Sequence, residues 1–286
     1  MTTTVGTQDL VLNPYEIKAA ELPVLPVAAQ KVLGLLSDPD VSIEKLKRLV
    51  EIDPGLATKI LKIANSAFYG GNRSIQNLNQ AILRLGLNSV RSIVVATSMK
   101  NTCKTFGLTE KLLWEQLIGS AMASSTIAKQ TRAADPEDAF IGGLLHDIGK
   151  VVLNNEHPDV FARIMERVYN ESVSFESVEH ELFGFSQRKI GASVVKKWEF
   201  PESLEMLLLN FDNQEVLGSN QELSNLVAVI KLGDKMCQKI GMGWRKPGGD
   251  GVTYDNLPEI IGLGEGSIDG LFENVKIALE EASSLY

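Results

Sequence analysis

Apolar residues recur at three- and four-residue spacing along almost the whole chain, and the alternation of a half-buried strand is hard to find. That pattern confines the 286 residues to packed helices. The stretch LPVLPVAAQKVLGLLSD places Val27, Val32, Leu33 and Leu36 on one expected helical face. Ser42 is positioned to cap a helix with an Ile43, Leu46, Leu49, Val50 stripe. Asp53-Pro54 pairs an N-cap residue with proline at the first helical position. The helix it opens, LATKILKIANSAFY, turns Leu56, Ile60, Ile63, Ala64 and Ala67 inward and is expected to stop at Gly70-Gly71. Another helix carries Leu78, Ala81, Ile82 and Leu85 up to Gly86, and Asn88 is placed to cap VRSIVVATSMKNTC.

The second half reads the same way. KLLWEQLIGSAMASSTIAKQ predicts a long helix whose small residues permit close helix contact, and Asp135-Pro136 opens one expected helix through DAFIGGLLHDIGKVVLNN. Further helices are predicted over about 158–170, 174–183, 186–197, 201–211, 221–241 and 268–284. The clearest loop is GMGWRKPGGDGVTYDNLP, dense in Gly and Pro. No repeat of fixed period is present. The expected architecture is one all-α body, softly divided near 105–110.

Hydrophobic residues are 44% and charged residues 22% of the chain, so a sizeable core needs no disulfide or structural metal. The two cysteines, Cys103 and Cys237, share no close ligand spacing and read as buried thiols of a reducing cytoplasm. No apolar run approaches the ~20 residues of a membrane helix. MTTTVGTQDLVLNPYE lacks the basic start and apolar centre of a signal peptide, so a cytoplasmic protein is expected. The net charge of −8 argues against a general nucleic-acid binder. Residues 44–104, however, carry ten Lys and Arg against three Asp and Glu, leaving the remainder at −15. A solvated helix surface accounts for this simply, and an anionic partner on the N-terminal half is the sharper reading.

Only His146, His157 and His180 are histidines. His146 adjoins Asp147 in FIGGLLHDIGKVVL, and neighbouring residues of a helix point about 100° apart, so both can border one cavity. Imidazole and carboxylate together suit a divalent metal that activates water. By itself the dipeptide is more simply a core histidine held by its neighbour, with Lys150 neutralising part of the local charge. His157 reads as a helix-start neighbour and His180 as a surface residue, while Trp114 and Trp198 read as core anchors.

GGLLHDIGK resembles the central motif of the HD superfamily of metal-dependent phosphohydrolases. LPVLPVAAQKVLGLLSDPDVS, LVEIDPGLATKILKIANSAFYGGNRSIQNLNQAILRLGLNSVRSIVVA, KLLWEQLIGSAMASSTIA and EHELFGFSQRKIGASVVKKWEFPESLEMLLLNF extend the likeness. Together they are similar to the HDOD (HD-related output domain) branch. The resemblance implies an HD-like helical bundle with an N-terminal helical part: a leader over 1–20 and an HDOD domain over 21–215. Within that domain, 21–105 would form the N-terminal part and 106–215 the HD-like part, and 216–286 would complete the HD-like core.

The resemblance also implies where a metal would be held. Catalytic relatives place histidines where this chain has Gln116, Gln187, Asn210 and Phe211, whereas His146, Asp147 and Asp234 retain the family residues. Neutral amides compete poorly with water for a transition metal. The expectation is a remnant site with no required cofactor, able at most to hold a weak divalent metal. A non-catalytic regulatory module is therefore expected, meeting signalling proteins or an anionic or nucleotide ligand. The rivals are a metal-dependent phosphohydrolase or phosphodiesterase on a nucleotide and, from the basic short helices at 43–85, a DNA regulator. Specific nucleic-acid binding is not expected, since no Arg-rich reading face is evident.

Overall fold

The computed structural model describes residues 22–36, 41–66, 69, 74–102, 107–171, 173–213, 218–243, 251–264 and 266–282. The leader at 1–20, Ala67, Gly70, Gly71 and Cys103 lie outside the described residues, which contain helices and no strand. Two compact units divide the chain, one of 24–145 with 213–286 and a smaller one of 146–212 with Leu22 and Pro23.

In the larger unit, α1 (Val27–Leu36), α2 (Ile43–Glu51), α3 (Pro54–Ala64) and α4 (Leu78–Lys100) pack side by side. Their shared core holds Val32, Leu46, Val50, Leu56, Ile60, Ile63, Ala81 and Ile82. The N-caps are those the residue types demand: Ser42 Oγ accepts from Lys45 N at 3.2 Å and Asp53 Oδ1 from Leu56 N at 3.0 Å. Val27 departs from expectation and is 66% exposed. Five residues separate it from Val32, about 140° around a helix, so the two cannot share a face.

The third helix stops at Ala64, short of the expected Gly-Gly stop. Asn65 explains the early end, because its side chain clasps the main chain of Ile75 in both directions, at 2.7 and 2.8 Å. Gly86 breaks α4 with φ 79° and ψ 164°, a conformation costly for any residue with a Cβ. The two segments expected around Gly86 are thus present, joined end to end.

Helix α5 (Leu108–Thr131) packs against α6 (Pro136–Leu145), α12 (Gln221–Ile240) and α14 (Ser267–Ala282); the short α13 (Leu257–Ile260) lies against α12. Its small residues permit the close approach their composition suggests: a Cβ on Gly143 of α6 would meet Ser120 O at 2.8 Å. Ser89 and Ser92 both donate to the Glu137 carboxylate, tying α4 to α6.

The smaller unit contains α7 (Ile148–Glu156), α8 (Pro158–Glu171), α9 (Phe175–Phe183), α10 (Gln187–Lys197) and α11 (Glu202–Leu209). Helix α10 packs on α7 and α11, and α8 on α7 and α9. Trp198 Nε1 donates to Pro23 O and Lys197 Nζ to Leu22 O, both at 2.8 Å. The single helix expected through DAFIGGLLHDIGKVVLNN is two, α6 and α7, parted at His146 and Asp147. No described helix is long and apolar enough to cross a membrane.

Candidate functional site

The break at His146 and Asp147 sets the geometry of the predicted residues that the smaller unit holds. Asp147 has φ −111° and ψ 18°, outside the helical well, and precedes α7 as its N-cap residue. In a continuous helix the His146 carbonyl would accept from Lys150 N. Here Lys150 N donates to Asp147 O at 2.9 Å, and the His146 carbonyl accepts from Arg188 Nη1 of α10. A guanidinium thus replaces a rung of the helical ladder, leaving the pair at a junction.

Both oxygens of the Asp147 carboxylate are engaged. Oδ2 accepts from Lys150 Nζ at 2.6 Å, and Oδ1 accepts from Arg188 Nη1 and Gln187 Nε2, each at 2.9 Å. His146 Nε2 is 3.5 Å from Asp147 Oδ2. Asp147 is 2% exposed and Lys150 1% exposed, so the salt bridge is shielded from water. The cations have aromatic floors as well: Lys150 Nζ lies 4.4 Å from the Phe175 centroid and Arg188 Cζ 4.2 Å from that of Phe211.

Phe211 is buried and its ring stacks on His146, with centroids 5.6 Å apart and planes inclined at 28°. Asn210 caps α11 from a half-buried position, and its amide donates to Met206 O at 2.9 Å. Arg188 also reaches the exposed Asp212, Nε to Oδ2 at 3.4 Å.

Glu179 of α9 is the second buried acid of this unit. Its Oε1 accepts from Gln187 N at 2.8 Å, and its Oε2 has no hydrogen-bond partner. Burial pushes this carboxyl up to about 7, against the pull of the Gln187 amide, Ser186 and Lys150. The backbones come close where Gly149 faces Gln187. A Cβ at Gly149 would lie 2.0 Å from Gln187 O, so only glycine fits.

The larger unit holds the remaining predicted positions, Gln116 on α5 and Asp234 on α12. Gln116 is buried, and its Nε2 donates to Asp234 Oδ1 of the half-buried Asp234. A carboxylate only accepts, so the amide nitrogen has to face it. That leaves Gln116 Oε1 buried with no hydrogen-bond partner, and Gln187 Oε1 in the smaller unit is in the same state. At both positions a glutamine offers an N–H to an acid, where a histidine ligand would offer a lone pair to a metal. Among the described residues no group of three or more His, Cys, Asp or Glu could hold a metal ion.

Sequence reasoning named Lys150 as a neutralising charge and missed Arg188 and Glu179. Arg188 did leave a trace: a cation in the first turn of a helix opposes the helix dipole and calls for an acid nearby. Of the other residues weighed, His180 is exposed, His157 is half-buried as the C-cap of α7, and Trp114 and Trp198 are buried. Cys237 is buried.

Comparison with known proteins places this geometry in a family. The HDOD domain profile matches residues 22–213. A protein of Treponema pallidum (strain Nichols), itself uncharacterised, is 25% identical over 183 residues, 64% of this chain and 36% of that protein. The chain therefore spans about a third of that relative's length. Among solved structures, an HDOD domain protein of Geobacter sulfurreducens, of unknown function, has a TM-score of 0.69 at 25% identity, covering 92% of this chain and 89% of its own. A candidate phosphohydrolase of Shewanella amazonensis SB2B gives 0.72 at 23% identity, covering 98% and 100%. A candidate signal transduction protein of Marinobacter aquaeolei VT8 gives 0.73 at 21%, covering 97% and 62%. The last two likenesses establish the all-α fold, and the profile covers about two-thirds of the sequence. The chain belongs to the HDOD domain family.

Proposed function

We propose that this chain is a regulatory module of a bacterial cytoplasm that acts by binding signalling proteins or an anionic ligand and does not hydrolyse phosphate esters. The observation that carries the reading is the state of Asp147. Its two oxygens already take a buried ammonium, a guanidinium and an amide N–H. A divalent cation at that carboxylate would have to displace two fixed positive charges and leave them buried without their acid, at several kcal/mol. In the other unit Asp234 takes the Gln116 amide, so a cation there has to break that bond too. Such donor sets suit a scaffold better than a centre that lowers the pKa of a bound water.

Elemental analysis of the purified chain, paired with phosphomonoesterase and phosphodiesterase assays in excess Mg²⁺ or Mn²⁺, tests this. The expected result is metal far below one ion per chain and no turnover above a His146→Ala variant. Stoichiometric metal that disappears in His146→Ala, together with turnover, overturns it. That outcome would favour the second reading, a metal-dependent phosphohydrolase. Its support is the retention of His146, Asp147 and Asp234 and the naming of a structural neighbour as a candidate phosphohydrolase.

A further inference from the structure

Within the larger unit, a cleft of about 310 Å³ opens beside α3, α4 and α5, remote in sequence from every position discussed as a metal ligand except Gln116. Its lining includes Asp53 and Lys59 from the start and middle of α3, Thr97 and Lys100 from α4, Asn101 and Trp114. We propose that this cleft binds a small phosphate monoester, of the size of a nucleoside monophosphate or a sugar phosphate, with Lys59 and Lys100 holding the phosphate. The inference goes beyond the scaffold reading and does not rest on it, because a catalytic chain would carry the same cleft.

Three observations converge. The first is charge: two lysines line one small cleft, within a segment whose net charge is +7 in a chain of −8. Burial and the neighbouring ammoniums of Lys100 and Lys62 bring Lys59 down to about 8, and a dianion between the lysines would relieve that repulsion. The second is an unused donor. Thr97 Oγ1 is buried with no hydrogen-bond partner, although a helical threonine ordinarily donates to the carbonyl four residues back. The Thr97 side chain lines the cleft, so a turn about its χ1 would carry the hydroxyl to a phosphate oxygen there, and the Asn101 amide of the same lining is a further donor.

The third is the character of the remaining wall. Trp114 gives it an aromatic side, already overlain by Lys100 Nζ at 5.6 Å from the ring. Among the described residues Asp53 is the one acid in the lining, and its Oδ1 accepts from Leu56 N at 3.0 Å. A free carboxylate oxygen there repels a second phosphate and can accept from a sugar hydroxyl, which favours a monoester over a polyphosphate. The volume is at the low end of small-molecule sites.

Isothermal titration of the full chain at pH 7 with inorganic phosphate, ribose 5-phosphate, AMP and, as the uncharged control, adenosine tests the proposal. Saturable binding of ribose 5-phosphate or AMP is expected, weaker binding of inorganic phosphate, and none of adenosine. Lys59→Gln and Lys100→Gln should each weaken binding about tenfold or more, and Thr97→Val by several-fold, with helical circular dichroism retained. Affinity should fall as pH rises through about 8, where Lys59 loses its proton, and Lys59→Arg should keep it at pH 9. No saturable binding of any phosphate compound overturns the proposal, as does binding indifferent to both lysine substitutions. Neither result bears on the metal and turnover measurements above.

Discussion

The two units treat the acids of the candidate site differently. In the smaller unit Asp147 is sunk among Lys150, Arg188 and Gln187 at a break between helices, and a second acid, Glu179, lies buried nearby with its proton affinity raised. In the larger unit Asp234 is half-buried on an unbroken helix and accepts from the neutral amide of Gln116. A glutamine stands beside the acid in both cases, yet Asp147 is fully buried between two cations whereas Asp234 is only half-buried. An acid of the candidate site can therefore stand in either of two conditions, sealed from water together with its counter-charges or half-open to solvent. The first commits the local fold to keeping the acid; the second does not.

The most severe test of this contrast is Asp147→Ala. It strands a buried ammonium and a guanidinium, and an unfolding free energy lower by about 3–5 kcal/mol is expected from urea denaturation. A loss under about 1 kcal/mol would mean that the cations find other partners, and the contrast would fail.

Glu179 gives the next largest effect, and it depends on pH. Its folded carboxyl sits at about 7, above its ordinary range, so between those values the folded chain holds a proton that the unfolded chain has released. Stability should fall as pH rises from about 4.5 to 7 and level off above, by roughly 3 kcal/mol in all. In Glu179→Gln, which keeps an oxygen for the Gln187 N–H, this slope should flatten; an unchanged slope would assign the titration to another group.

Gly149→Ala sharpens the packing side of the comparison. Its Cβ would run into the main-chain oxygen of Gln187, which cannot step aside as a side chain can. A loss of about 2–3 kcal/mol is expected by thermal or chemical unfolding, with α10 shifted away from α7. A neutral substitution would show that the two helices can part without cost. The smallest effect belongs to Asp234→Ala, expected at about 1 kcal/mol from the loss of the Gln116 contact. Equal losses for Asp147→Ala and Asp234→Ala would erase the distinction between the units.

Much of the fold was legible because helices announce themselves locally. Ser42, Asp53 and Asp135 cap as their side chains require, and Gly86 interrupts α4 as a glycine can. Errors arose where a distant residue intervened. Asn65 ends α3 early by binding Ile75; Val27, by contrast, faces away for a local reason, the 140° of helix that separate it from Val32. The largest miss is at the site itself. FIGGLLHDIGKVVL has no proline, its three glycines lie inside the two helices rather than at the break, and its helical period runs straight through the motif. What opens it is Arg188, some forty residues later, bonding the His146 carbonyl.

By itself, then, the sequence determined an all-α chain, its capped helices and the HDOD family. Periodicity, caps and motif identity are properties of residues close together along the chain. Only the tertiary structure decided the condition of each acid: that Asp147 is claimed by Lys150 and Arg188, that Glu179 is buried beside Gln187, and that Asp234 meets an amide. Desolvation and charge pairing depend on which side chains are brought within a few ångströms of one another. Residues far apart in the sequence set that environment, and no local pattern records it.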